Sequence, residues 1–388
     1  MSVYVETSAN SLIKYGEELC GDKVEIIRNN EGVTVVLADG LGSGVKANIL
    51  ASLTSKIAAT MLSEGADIVE VVETVASTLP VCREREIAYS TFSILRLDNN
   101  GAARLVEFDN PDAILLRDGK EVTLSKQTLH VDGKNIKESN FYMTPGDVLV
   151  LMSDGAVHAG VGRLLNFGWQ RQNIVEYLCG YYREDMPARL FTSQLLGACN
   201  SLYMDQPGDD TTVVTARICM DQLCTIMVGP PVDANMDSEL VKRFLSFPGK
   251  KAVCGGTTSQ IVSRILGREL NVMLDYVTPD VPPIGYIDGI DLVTEGVVTL
   301  GRAYEIIKEA GMQEGFDAGA LLNKSDGATM LARLLEQSTE ARFIVGKALN
   351  PAHQNPDLPY NLGIKLGLVR NIAELLKGLG KKVTVEYH

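Results

Sequence analysis

Hydrophobic positions fall into short runs through the first 218 residues and into alternating strand-length and helix-length blocks beyond residue 224. The clearest run is Val33-Thr34-Val35-Val36-Leu37-Ala38, a β-branched strand that delivers Asp39-Gly40-Leu41-Gly42-Ser43-Gly44. Residues 45–62 then place Ala47, Leu50, Ala51, Ile57, Ala58 and Met61 on one stripe, which predicts a helix. A second helix is expected over 67–79, with Ile68, Val71, Val72 and Val75 on one face and Pro80 stopping it. Residues 24–28 and 32–37 predict a hairpin around Asn29-Asn30-Glu31, and residues 8–20 a short amphipathic helix before it. Strand-like runs at 88–97, 103–108, 113–116 and 121–124 alternate with Asn/Gly/Asp turns, the pattern of an antiparallel meander. A strand at 148–153, helices at 173–181 and 186–202 and a last strand at 211–218 complete this half. The order suggests an α+β domain of two antiparallel sheets sandwiched by helices.

Beyond residue 224 the rhythm changes. Strands at 225–228, 251–254, 270–274, 290–293, 341–345 and 382–387 alternate with helices at 237–247, 257–266, 298–310, 327–337 and 362–379. Such alternation predicts a three-layer α/β domain with a largely parallel sheet. The expected domains are therefore residues 1–220 and 224–388, joined by a short link.

At 388 residues and 45% hydrophobic content the chain can bury two ordinary cores. A net charge of −13 argues against nucleic acid or an anionic membrane as partner, because phosphate surfaces reward basic patches. Residues 1–10 lack the basic and apolar regions of a signal peptide, and no stretch reaches the roughly 20 apolar residues of a membrane helix, so a cytoplasmic location is expected. The 7 cysteines form no CxxC pair, which suits reduced thiols, and the 4 histidines show no metal-ligand spacing. Any metal is expected on oxygen ligands.

Those oxygens are suggested by acids at strand ends. Asp39-Gly40, Asp154-Gly155 and Gly208-Asp209-Asp210 each close or open a strand, and Asp22 begins the strand that should pair with the one ending at Asp39. One Asp-Gly pair alone reads equally as a plain turn. Several together form the oxygen-rich setting that Mg²⁺ and Mn²⁺ prefer.

In this order the motifs resemble the PPM (PP2C-like) metal-dependent serine/threonine phosphatases, in particular the bacterial branch typified by SpoIIE and the sigma-regulator phosphatases. The resemblance covers roughly residues 1–218 and implies two Mg²⁺ or Mn²⁺ ions serving a water that hydrolyses phosphoserine or phosphothreonine. It implies that Asp39 bridges the metals, Gly40 offers its carbonyl, Asp154 and Asp209 bind one metal, and Asp22 holds a metal-bound water. Asp22 and Asp39 are thus the expected catalytic pair. Asp210 stands where the family usually has Asn, and either holds a further metal or faces solvent. The arginine that eukaryotic members use to grip phosphate has no counterpart; Lys14 and Lys23 flank Asp22, and Lys46 is a weak substitute. The implied partner is a bacterial signalling phosphoprotein, such as an anti-anti-sigma regulator, and a homodimer is allowed. A catalytically silent metal- or partner-binding module and a small-molecule phosphatase are the competing classes.

The resemblance does not reach the second domain. There Cys254-Gly255-Gly256-Thr257-Thr258-Ser259 stands between a strand and a helix, where exposed N–H groups and the helix dipole make an anion site. Gly255, Gly256, Thr257 and Thr258 are its candidate residues; the alternative is hydroxyl capping of the helix. The loops 294–296 and 350–356 are expected at the same sheet edge. Residues 157–169, with the only tryptophan, read either as a recognition loop or as a packing segment.

Overall fold

The computed structural model describes residues 3–29, 31–78, 81–82, 87–88, 90–131, 134–272, 284–310, 324–348 and 360–388. The 350–356 loop, Pro80, Asn30 and the end of the 270–274 strand lie outside these. The chain forms two compact units that divide after Met220.

The N-terminal unit is built on two antiparallel sheets. One runs in the order Val3–Leu12, Thr211–Met220, Val148–Met152, Ile114–Arg117, Lys120–Val122. The other runs Gln127–Val131, Lys134–Tyr142, Ala102–Phe108, Ser90–Asp98, Gly32–Gly40, Asp22–Arg28. Val35, Leu37, Leu95 and Leu105 of the second sheet meet Leu115, Leu149, Leu151 and Val214 of the first to fill the sandwich. The opposite face of the second sheet, with Val36, Ala38, Ile94 and Val106, is covered by Ala51, Ala58, Val71, Val72 and Val75 from the helices Gly44–Ser63 and Ile68–Thr78. Burial on both faces explains why Val33 to Ala38 reads as a continuous apolar run rather than an alternating one. Ala188–Leu202 packs on Val3–Leu12 and Thr211–Met220, where the Thr192 hydroxyl donates to that of Thr215 at 2.9 Å.

The helix expected over 8–20 is not formed. Val3–Leu12 is a strand paired at every position with Thr211–Met220, from Val3 opposite Met220 to Leu12 opposite Thr211. Val3, Tyr4, Val5 and Thr7 favour extended backbone, and Val5 enters the core. Ile13, Tyr15 and Leu19, within the span expected to be helical, are exposed in the loop that follows. Two strands, Gln127–Val131 and Lys134–Tyr142, carried too few apolar residues to be read from sequence.

In the C-terminal unit the sheet order is Asn271–Val272, Gly285–Tyr286, Leu292–Thr294, Lys250–Cys254, Leu223–Val228, Glu340–Val345, Lys382–Tyr387. The last five of these are mutually parallel, and the first two form an antiparallel edge. The chain starts at Leu223–Val228, builds outward one way, and returns to build the other way from Glu340–Val345. Asp237–Ser246 and Gly256–Leu266 pack Leu240, Val241, Phe244 and Val262 onto Met227, Val253, Val293 and Ile344. Val297–Glu309 packs against Gly327–Gln337 and Tyr360–Gly378. Among the described residues no helix is long and apolar enough to cross a membrane.

Candidate metal centre

Asp39 is the penultimate residue of Gly32–Gly40, and Asp22, first in its own strand, lies directly opposite it in the ladder. Gly40 donates its N–H to the Gly21 carbonyl at 3.2 Å, and Ser90 Oγ donates to the Asp39 carbonyl at 2.8 Å, so the strand end is held on both edges. The turn into Gly44–Ser63 uses Gly42 at φ 100° and Gly44 at φ 67°, left-handed conformations natural to glycine. Gly40 has a different reason to lack a side chain: a Cβ there would stand 2.1 Å from the Ala47 carbonyl oxygen.

Val148–Met152 brings up Ser153, whose Oγ donates to Asp22 Oδ2 at 2.7 Å and accepts the Thr212 N–H at 2.8 Å. Asp154 then opens the short helix Asp154–His158 instead of ending in a loop. Gly155 is pressed against the third acidic segment, since a Cβ would lie 2.1 Å from the Asp210 carbonyl oxygen, and its own carbonyl accepts the Tyr203 hydroxyl at 2.7 Å. Asp209 and Asp210 precede Thr211–Met220. Ligand atoms of Asp154, His158 and Asp209 all lie within 4.8 Å of one another.

These carboxylates feel one another. Burial first, then the charges of Asp22 and Asp154, push the Asp39 carboxyl well above the usual range. Burial also raises Asp22, against the pull of the Thr212 and Ser153 hydroxyls. Asp209 is raised by burial and by Asp154, while Lys14 pulls it down. The cluster cannot be fully ionised without a counter-cation. Asp22 Oδ1 and Asp210 Oδ2 are buried oxygens with no hydrogen-bond partner, as expected of a donor set made for a hard divalent ion.

Two expectations change. Asp210 does not face solvent: it is 4% exposed, accepts the Lys14 N–H on Oδ1 at 3.0 Å, and its Oδ2 would meet a Cβ on Gly21 at 2.8 Å. The oxygen-only donor set omits His158, whose Nδ1 is 3.7 Å from Asp154 Oδ2; the Asp-x-x-x-His spacing on a helix is the signal that shows it. Lys46 stands exposed on the first turn of its helix, whereas Lys14 Nζ is 3.6 Å from Asp209 Oδ1. Arg117, the last residue of the strand Ile114–Arg117, makes a bidentate pair with buried Asp147 at 2.9 and 2.6 Å, a structural role. Trp169 packs edge-on against Tyr177 at 5.1 Å.

The other predicted set belongs to the C-terminal unit. Gly255, at φ 120°, caps the helix Gly256–Leu266 without a side-chain hydrogen bond, and Thr257 and Thr258 fall in its first turn. Hydroxyl capping is therefore not what these threonines do.

Antiparallel sheets packed as a sandwich, helices outside, and aspartates gathered at strand ends define the PP2C-like class. Residues 29–218 match the family described as Stage II sporulation protein E (SpoIIE). Stage II sporulation protein E of Priestia megaterium is 24% identical over 220 residues, covering 55% of this chain and 36% of that protein. This chain thus spans about a third of that relative's length. Among solved structures, the PP2C phosphatase domain of SpoIIE from Bacillus subtilis, with a fragment of its regulatory domain, is 21% identical, covers 56% of this chain and 64% of that one, and has a TM-score of 0.49. The SiaA-PP2C domain of Pseudomonas aeruginosa is 16% identical, covers 54% and 85%, and scores 0.43.

Proposed function

We propose that the N-terminal unit is a metal-dependent phosphoprotein phosphatase acting on phosphoserine or phosphothreonine in a bacterial signalling protein. The observation that carries this reading is the convergence of Asp22, Asp39, Asp154, Asp209 and Asp210, from separate chain segments, on one centre with buried, unpartnered oxygens. The match of residues 29–218 to the SpoIIE family supports the substrate class, with an anti-anti-sigma-type regulator as the expected partner.

Asp39, the Gly40 carbonyl, Asp154 and Asp209 would hold Mg²⁺ or Mn²⁺, with His158 and Asp210 beside them. The bound ions supply an activated water and neutralise phosphoryl charge. Asp22 is held by the Ser153 hydroxyl through Oδ2, which leaves Oδ1 without a donor and oriented as proton acceptor. Burial raises its basicity, which suits that task. Ser153, itself fixed by the Thr212 N–H, positions Asp22.

Phosphate release from phosphoserine and phosphothreonine peptides with Mn²⁺ tests the proposal. Asp39→Asn and Asp154→Asn should each lower the rate by at least ~10²-fold, the loss of a metal-based activation. Folded protein that releases no phosphate with any divalent ion would rule out the enzyme and leave a partner-binding module.

A further inference from the structure

Three helices of the C-terminal unit begin alike, with a threonine three residues after the cap: Asp326 and Thr329, Gly255 and Thr258, Gly296 and Thr299. In the first, the Asp326 carboxylate accepts the Thr329 N–H at 3.0 Å and the Thr329 hydroxyl at 2.7 Å. In the other two the cap is glycine; at the Gly296 start the preceding Glu295 carboxylate reaches Val298, and at the Gly255 start no carboxylate accepts from the first turn among the described residues. Thr258 is 1% exposed and Thr299 0%, yet neither hydroxyl has a partner. Nor do the N–H groups of Gly256, Thr257 and Thr258 have an acceptor among the described residues.

The two glycine-capped starts adjoin. A Cβ on Gly296 would lie 3.5 Å from Gly255 Cα, and Gly255 donates its N–H to the Thr294 carbonyl at 2.9 Å. Thr258 Oγ1 points at Gly255, 3.2 Å from where a Cβ would be, while a Cβ on Gly256 would meet nothing within 4 Å. The helix starting at Gly327 reaches the same strand end, since its Cβ position is 3.2 Å from the Thr294 methyl. Glu295 Oε2 already accepts the Val298 N–H at 3.2 Å, so the Gly255 side is the emptier half.

We propose that the paired helix starts at Gly255 and Gly296 bind the phosphoryl group of a small phosphorylated metabolite, its oxygens taking the place that the Asp326 carboxylate holds at the third helix. The Thr258 hydroxyl and the N–H groups of Gly256, Thr257 and Thr258 are unpartnered donors on the first turn of one helix, Thr299 adds a second buried hydroxyl at the adjoining start, and the helix dipoles favour negative charge there. Glycine at both caps leaves room for the ligand that an aspartate would fill.

The probe is inorganic phosphate, then adenosine 5′-monophosphate and glucose 6-phosphate, added to the full chain in EDTA, with sodium chloride at matched ionic strength as control. Saturating probe should raise the Tm by roughly 2–4 °C in the wild type. Thr258→Val should raise the Tm without probe, because it removes a buried unpaired hydroxyl, and should abolish the probe-dependent rise. Thr329→Val, whose hydroxyl is satisfied, should lower the Tm and keep that rise. Thr299→Val carries the same readout if Thr258→Val does not fold. A chloride shift equal to the phosphate shift, no shift with any probe, or an unchanged shift in both Thr258→Val and Thr299→Val would overturn the proposal.

Discussion

At the acid centre of the N-terminal unit the buried atoms without partners are acceptors, Asp22 Oδ1 and Asp210 Oδ2; at the helix starts of the C-terminal unit they are the hydroxyls of Thr258 and Thr299, which can donate. Buried polar groups are normally satisfied, so the sign of the surplus points to the missing ligand. Surplus acceptors call for a cation, surplus donors for an anion. The glycines differ in parallel. Gly40 and Gly155 are crowded by backbone, where a Cβ would come within 2.1 Å of a carbonyl oxygen, whereas Gly256 faces open space.

That difference is open to direct test. Gly40→Ala forces the Ala47 backbone to move and should cost about 3 kcal/mol or more, beyond ordinary overpacking because backbone yields less than side chains. It should also abolish activity, since Asp39 moves with it. Gly256→Ala should change stability by less than about 1 kcal/mol, with a gain expected from helix propensity, and should weaken the phosphate-dependent shift by filling the cradle. Equal destabilisation by the two substitutions, measured by urea unfolding, would show that the C-terminal loop is packed as tightly as the acid centre.

Much of this was legible in the sequence. The strand into Asp39, the helices Gly44–Ser63 and Ile68–Thr78 and the parallel strands of the second unit stand within a few residues of expectation because each has strong local periodicity. The helix expected over residues 8–20 gives way to the strand Val3–Leu12 because that strand's character comes from pairing with Thr211–Met220, far along the chain, which local pattern cannot report. The acids were legible as types at strand ends. The burial of Asp210 was not, because it depends on Gly21 and Lys14, which reach it only through the fold. His158 is not legible as a site residue from sequence, because its spacing from Asp154 matters only once the segment is a helix.

The acid surplus also makes a pH prediction for the metal-free protein. The carboxyls of Asp22, Asp39 and Asp209 are raised, so in the folded state they keep protons that the unfolded chain has lost above pH about 4. Fewer protons on the unfolded chain means that stability falls as pH rises through this window and beyond. In EDTA the Tm should therefore drop by several degrees between pH 5 and pH 8, on the order of one proton's linkage. Mn²⁺ should restore it, and Asp39→Asn should raise the metal-free Tm and flatten its slope. A metal-free Tm that climbs with pH would mean that the acids are separated or already paired.

The smallest expected effect concerns Lys14, whose ammonium lies beside the acids. Its Nζ lies 3.6 Å from Asp209 Oδ1 with both side chains about a third exposed, so the pair itself should contribute under about 1 kcal/mol to stability. Lys14→Met keeps the main-chain N–H that anchors Asp210 and removes only the charge. With the ammonium gone, Asp209 faces an incoming cation alone, and one unit charge a few ångströms away in a wet site is worth about tenfold in affinity at most. The Mn²⁺ concentration for half-maximal activity should fall by roughly three- to tenfold, with kcat at saturating metal unchanged. Direct Mn²⁺ titration of the folded protein should show the same gain without reference to turnover. If Lys14 grips the substrate phosphate instead, the variant will keep its metal requirement and raise KM for the phosphopeptide. That result would move the lysine from competitor of the cation to ligand of the substrate.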